Sequence, residues 1–236
     1  MLVLMPARLP EEVHRSDRIG WLRAAVLGAQ DGVLTLSSLL IGIVAASNDR
    51  TQLIIAGVAA IVAGATSMAA GEYNSVSSQR DTERADIAKE IEELQVYPDV
   101  ELEELTQIYE QRGLDRPLAR QVAIQLTKTD ALASHMRDEL GIVAGATARP
   151  LQAAVVSAAG FLLGSTPAVL LAAFMPAGAR LIAIALTALI LLAVVGATGA
   201  RLGDAKVSRA ALRVTIIGGL AMAIAAGIGK LIGTAV

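Results

Sequence analysis

The chain has 236 residues, 54% of them hydrophobic, with mean hydropathy +0.58 and a formal net charge of −2 at pH 7. That apolar share exceeds what an ordinary soluble domain carries, and the small net charge argues against a nucleic-acid partner. There is no cysteine, which excludes disulfides and thiolate metal ligands.

The N-terminal tail, residues 1–20, carries Glu11, Glu12 and Asp17 and lacks a long apolar core, so no cleavable signal peptide is evident. A membrane-spanning helix needs roughly 20 apolar residues. Five stretches meet that length, near 24–47, 52–78, 151–174, 180–201 and 212–234. They are apolar without alternation, which predicts helices and not barrel strands. Gly, Ala, Ser and Thr crowd them, as close helix packing in lipid requires. The expected organisation is a tail over 1–20, two spans within 21–79, a polar segment over 80–149 and three spans within 150–236.

The first span holds one charge, Asp31, inside Ala24-Ala25-Val26-Leu27-Gly28-Ala29-Gln30-Asp31-Gly32-Val33-Leu34. An ionised carboxylate in hydrocarbon costs several kcal/mol, so its presence points to a cation or a proton as its business. The plain alternative is a protonated side chain bonded to Ser37, Ser38 or Thr66. Gly28 and Gly32 form a Gly-x-x-x-Gly pair, through which two copies of this span would approach closely.

The second span contains Met68 and, one turn on, Glu72. In an antiparallel hairpin turning near residues 49 and 50, Asp31 and Met68 fall at similar depth. Met68 alone reads as packing; opposite an intramembrane aspartate it becomes a soft ligand. No Lys or Arg lies inside either span to neutralise Asp31 or Glu72.

No Gly or Pro separates Glu72 from Pro98, so the second helix is expected to run unbroken from Thr51 to Gln95, projecting a stalk beyond the bilayer. Glu83, Asp86, Glu90 and Glu93 stripe that stalk, and Met68, Glu72, Glu83 and Glu90 share a helical phase. Segment 80–149 holds 15 acids and 9 bases, a net of −6. Two further helices are predicted in it. One starts at an Asp99 N-cap and ends near Gly113. The other starts at Asp115-Arg116-Pro117 with Leu118, Val122, Leu126, Leu132, Met136 and Leu140 on its apolar face. The first offers Glu101 and Glu104, and the second offers His135, Met136 and Glu139. Oxygen, imidazole and thioether donors together suit a first-row divalent metal better than calcium. The bland reading is a set of solvated faces, with His135 in water.

Basic residues set the orientation. With the N-terminus cytoplasmic and five crossings, 17 of the 20 Lys and Arg fall on the cytoplasmic side, and only Arg50, Arg180 and Lys230 on the other. The fold class expected is therefore an all-α membrane protein of five transmembrane helices, with a cytoplasmic three-helix metal-binding insert between helices two and three.

Asp31-Gly32, the run Gly64-Ala65-Thr66-Ser67-Met68-Ala69-Ala70-Gly71-Glu72-Tyr73 and the acidic insert resemble the vacuolar iron transporter family, from about Trp21 to the fifth span. The resemblance implies a homodimer of five-span protomers whose pore, lined by the first two spans, exports Fe²⁺ from the cytosol in exchange for protons. Mn²⁺, Co²⁺ and Zn²⁺ are further candidate cargo, and no tightly bound cofactor is expected. It further implies pore roles for Asp31 and Met68, and ligand roles in the insert for Glu90, Glu93, Glu101, Glu104, Met136 and Glu139. His135 stands where plant-type members resemble this motif with methionine. Glu72 looks like the prokaryotic version of the second-span motif, which points to a bacterial-type inner membrane.

Two rival functions remain at this level. One is a membrane metal sensor or store without transport. The other is a ferritin-like di-iron oxidase, which uses two Glu-x-x-His motifs. This chain offers that spacing once, in Glu11-Glu12-Val13-His14, and the expectation is a protein that is not an enzyme.

Overall fold

A computed structural model describes residues 19–142, 148–203 and 205–235; most of the N-terminal tail, with Glu11-Glu12-Val13-His14, lies outside the described residues. Among the described residues there are seven helices and no strand: α1 (Ile19–Ala46), α2 (Arg50–Val96), α3 (Pro98–Gln111), α4 (Arg116–Asp138), α5 (Pro150–Phe174), α6 (Arg180–Leu202) and α7 (Val207–Ala235). Five of them, α1, α2, α5, α6 and α7, are long and apolar enough to cross a membrane. The chain divides into two compact units, one of residues 1–70 with 152–236 and the other Gly71–Leu151.

In the first unit α1 is the central element. It packs on α6 and α7. Its core residues Val33, Leu36, Leu40 and Ile41 meet Leu53 of α2, Phe161 and Val169 of α5, Ile184 and Leu192 of α6 and Met222 of α7. Large side chains point outward. On α6, Ile184, Ala188, Leu192, Gly196 and Ala200 are buried at every fourth position, while Ile182, Leu186, Ile190 and Val194 form the exposed row. Hydrocarbon solvates such a row without penalty, whereas close approach between helices demands small residues inside.

The Gly28–Gly32 pair is used within the chain. A Cβ at Gly28 would collide with the backbone carbonyl of Ser157, and one at Gly32 with that of Phe161. Gly160 and Gly164 of α5 answer with the same spacing against Ala25 and Ala29. The expected meeting of two copies at Gly28 and Gly32 is thus replaced by α1 on α5, because α5 brings its own complementary pair. Gly64 of α2 is filled in turn by the Phe161 ring.

Two loops of this unit are tied by a buried cation. Arg180, 6% exposed, donates from Nε to Met175 O and from NH1 to both O and Oδ1 of Asn48, each at 3.0 Å. Asn48 returns Nδ2 to Ala177 O at 3.0 Å. The guanidinium charge is thus met by oxygens just beyond the C-terminal ends of α1 and α5, where helix dipoles are negative.

In the second unit α2 continues without a break to Val96, giving a helix of 47 residues, about 70 Å long at 1.5 Å per residue. Pro98 sits in the first turn of α3, behind Tyr97 as N-cap, so Asp99 is a first-turn acid and not the cap expected from sequence. Proline's fixed φ starts the helix two positions earlier. Gly113, at φ +99°, closes α3 in a conformation that L side chains avoid. Asp115 caps α4, accepting from Leu118 N at 2.9 Å as its sequence predicts.

The buried face of α4 differs from the expected one. Ala119, Ala123, Ser134 and His135 are inside, while Leu118 is 46% exposed. Two alanines let α3 approach closely, and that gain outweighs burial of one leucine. The helix is also interrupted at Asp130 (φ −165°, ψ 99°), which resets the phase beyond it.

The α1–α5 contact gives a test of this packing. Gly32→Ala should destabilise the protein by about 1–3 kcal/mol, because the added methyl meets backbone and not a movable side chain. Gly227→Ala, where a Cβ meets nothing within 4 Å, should leave stability unchanged. Thermal unfolding of both variants in detergent measures the difference.

Candidate metal centre

In the second unit Glu72, Val76, Arg80, Glu83, Ile87, Glu90 and Leu94 of α2 are buried or half-buried, as are the neighbouring Ser77 and Glu93. The spacing of the first seven, by three and four, keeps them on one side of the helix. Glu72, Glu83 and Glu90 therefore share a face, as the sequence phase predicts. Glu72 is buried and makes no ion pair among the described residues; Glu83 accepts from Gln79 Nε2 at 2.8 Å.

Glu90, Glu101, His135 and Glu139 converge. Each offers one donor atom, and these atoms all lie within 4.8 Å of one another. Glu90 comes from α2 and Glu101 from the first turn of α3. His135 and Glu139 come from the end of α4, four residues apart and therefore stacked on one face. His135 Nδ1 lies 3.0 Å from Glu139 Oε2, 3.1 Å from Glu90 Oε1 and 3.8 Å from Glu101 Oε2. His135 is fully buried, and Glu90 and Glu101 nearly so.

The geometry fits one ion. With bonds of about 2.1 Å, ligands on opposite sides of a metal stand about 4.2 Å apart. Three carboxylates and one imidazole form a donor set for first-row divalent ions. Imidazole Nδ1 has hydrogen-bond alignment with Glu139 alone, leaving Glu90 Oε1 without a donor although it is buried. His135 Nε2 is likewise buried and unpartnered.

The electrostatics point the same way. Burial pushes the Glu90 carboxyl up to about 7, and the charges of Glu139, Glu101 and Glu93 add to the rise, against the pull of His135. Burial raises Glu101 as well, with Glu104 next in effect. A cation at the centre would remove most of this repulsion.

Glu93 and Glu104 act on this cluster through their charge, outside its set of converging donors. Glu93 pairs with Lys89 at 3.2 Å, and Glu104 is exposed. The Met136 side chain is half-buried and its carbonyl accepts from Ile142 N at 2.7 Å.

In the first unit Asp31 is half-buried and accepts from Thr35 Oγ1 at 3.0 Å, a partner other than Ser37, Ser38 or Thr66. Thr66 bonds to Val62 O instead. Asp31 lies on the α1 row that includes exposed Leu27, Thr35 and Leu39. Met68 is half-buried against the core of this unit. The Thr35 contact was open to sequence reading, since Thr35 stands four residues after Asp31. A polar group missed entirely is Asp138, which no local pattern sets apart from the other acids of the insert.

Comparison with known proteins completes the description. The model of the VIT family matches residues 22–230. A vacuolar iron transporter of Acanthamoeba castellanii is 47% identical over 98% of this chain and 86% of that protein. Vacuolar iron transporter homolog 2.1 of Arabidopsis thaliana is 36% identical over 98% of this chain and 90% of its own length. Vacuolar iron transporter homolog 1 of Oryza sativa subsp. japonica is 35% identical over 94% and 78%. With the family match and these likenesses running through nearly the whole sequence, the chain belongs to the VIT family.

Proposed function

We propose that this protein is a membrane transporter that moves Fe²⁺ out of the cytosol. The observation that carries the reading is the convergence of buried Glu90, Glu101 and His135 with the exposed Glu139, on a chain with five apolar helices of spanning length. The names of the relatives support iron as cargo, and the donor set admits Mn²⁺, Co²⁺ and Zn²⁺ as well.

In this reading the insert faces the cytosol, which the bias of basic residues supports, and collects the ion at the cluster, with Glu93 and Glu104 raising the local negative potential. Glu83 and Glu72 continue the carboxylate face along α2 toward Met68 and Asp31. Asp31 lies on a partly exposed row of α1, where an ionised group facing lipid is costly. A second protomer covering that row would turn it into the wall of a pore, which supports a homodimer. Protons are the natural counter-ion, because carboxylates and imidazole release them on taking up metal. The reading assigns no enzymatic step to the chain. The motif containing Glu72 points to an inner membrane of bacterial type, whereas the relatives bear vacuolar names; fractionation of the source cells decides between the two.

Transport into sealed proteoliposomes tests the function. Asp31→Ala should abolish Fe²⁺ uptake while the protein still assembles. Replacing Glu90, Glu93, Glu101 and Glu104 together with Gln should slow uptake less completely, because the membrane path remains. Uptake by the Asp31 variant at the wild-type rate would refute the pore role. Binding of Fe²⁺ to wild type with no uptake into any liposome would instead establish a sensor or store.

Proton competition gives a second test. A carboxyl raised to about 7 still holds its proton below that pH, so metal affinity should rise with pH through about 7 and level off above. The dissociation constant for Co²⁺ should weaken at least about tenfold from about pH 7.5 to about pH 6. His135→Met should reduce this dependence without erasing it, because Glu90 retains its share. Superimposable titration curves for wild type and the variant would show that His135 does not touch the metal.

A further inference from the structure

The final two turns of α4 carry two of the four converging donors, yet the helix that leads to them is broken. At Asp130 the backbone is extended, and the Asp130 carboxylate caps the turn beyond it, accepting from Ala133 N at 2.9 Å, while Ser134 Oγ donates to Asp130 O at 2.7 Å. The segment from Ala131 to Asp138 is therefore a short helix of its own. It cannot inherit its orientation from Arg116–Thr129, since an extended residue transmits no helical phase. Something else must set where His135 and Glu139 point.

The other end of that short helix is pinned. Asp138, with a side chain 4% exposed, takes Arg112 NH1 at 2.7 Å and Arg137 Nε at 3.2 Å on Oδ1. On Oδ2 it takes Tyr109 OH at 2.9 Å and Arg137 NH2 at 2.6 Å. Arg112 NH2 also reaches the Asp138 carbonyl at 3.1 Å, and its guanidinium lies 5.0 Å from the centre of the Tyr109 ring. Both carboxylate oxygens are thus committed, so Asp138 does not serve as a ligand. Its partners Tyr109 and Arg112 stand in the last turn and at the C-cap of α3, the helix that presents Glu101.

We propose that Asp138 is the positioning residue of the metal centre: through Tyr109 and Arg112 it locks the His135–Glu139 turn of α4 into the frame of α3, so that the donors of two helices meet in one geometry. The inference rests on the metal-binding reading of that cluster. Asp138 lies between the two α4 donors it orients, three residues after His135 and one before Glu139. Five hydrogen bonds converge on this residue, three of them from Tyr109 and Arg112. Groups that orient ligands in this way typically change metal affinity 10–100-fold when removed.

The test uses full-length protein in detergent with Co²⁺ as probe, because its visible absorption reports the number and type of donors. Asp138→Asn keeps the shape but sets an amide N–H₂ against donors from Tyr109 and Arg. It should weaken Co²⁺ binding at least about tenfold and shift the absorption toward that of His135→Gln. Arg120→Gln removes an α3–α4 ion pair with Glu103 (3.2 Å) that does not touch Asp138; it serves as the control for loss of stability alone and should keep both affinity and spectrum. Tyr109→Phe and Arg112→Gln each remove part of the clamp and should show graded weakening, with Arg112→Lys recovering part of the Arg112→Gln loss; these variants decide the matter if Asp138→Asn does not fold. Wild-type affinity and spectrum in folded clamp variants, or losses no larger than in Arg120→Gln, would overturn the proposal. A wild-type protein whose Co²⁺ spectrum is indifferent to His135→Gln would overturn the metal centre itself, and the clamp's role with it.

Discussion

Two buried carboxylates, Glu90 and Glu101, meet a buried imidazole and the more exposed Glu139, an arrangement that water relieves only from the Glu139 side. Glu90 and Glu101 are almost wholly removed from solvent, and their burial raises both carboxyls before any neighbour is counted. Such a cluster persists in a folded domain only if its charge is offset, by protons on some of the groups or by a cation among them. Near neutral pH the protonated and ionised forms of Glu90 are close in free energy, because burial pushes its carboxyl up to about 7. In the transporter reading proposed above, a cation entering the site displaces such protons, and a carrier needs that reversibility more than it needs the tightest possible binding. A structural metal site would have deprotonated its ligands firmly and closed over the ion.

The rest of the second unit reflects the need to hold those charges together against their repulsion. Ala119 and Ala123 bring α3 and α4 close enough for short ion pairs, with Arg116 bridging Glu103 and Glu110 and Arg120 adding a second hold on Glu103. These pairs are exposed and each contributes little alone. Asp138 differs because its carboxylate is buried and the hydrogen bonds from Arg137 and Arg112 hold it well below the usual carboxylate range. It stays charged where Glu90 does not. Acids of one small unit are divided by their partners into structural anions and exchangeable ones.

Much of this architecture was legible in the sequence because it is local. The absence of Gly and Pro from Tyr73 to Tyr97 makes α2 continuous, and the five apolar runs need only length and composition to be read as spans. The phase shared by Glu72, Glu83 and Glu90 is a consequence of helix geometry once that continuity is granted. What could not be read depends on which distant residue supplies the partner. Gly28 and Gly32 announce a close helix contact but not that α5 makes it. The apolar pattern of α4 favours Leu118, yet α3 selects Ala119 and Ala123, since space between helices is a property of the pair. The break at Asp130 carries no Pro or Gly to signal it; an aspartate with Ala133 N three residues on is a cap wherever the tertiary structure asks for one.

The membrane unit shows the same division between what is packed and what is kept free. Several hydroxyls on its helices are committed to the backbone: Thr66, Thr166, Ser165 and Thr198 all donate to carbonyls within their own helices. Arg180, its buried cation, is met by oxygens of Asn48 and Met175. Asp31 differs from both. It receives one hydroxyl from Thr35, on a row of α1 that stays partly open among the described residues, and a carboxylate has acceptor capacity for several more partners. Packing could have hidden this group, as it hides Ser37 on the same helix. In the transporter reading proposed above, that acceptor capacity is left for partners from outside the protomer, a facing subunit and the ion that passes between them.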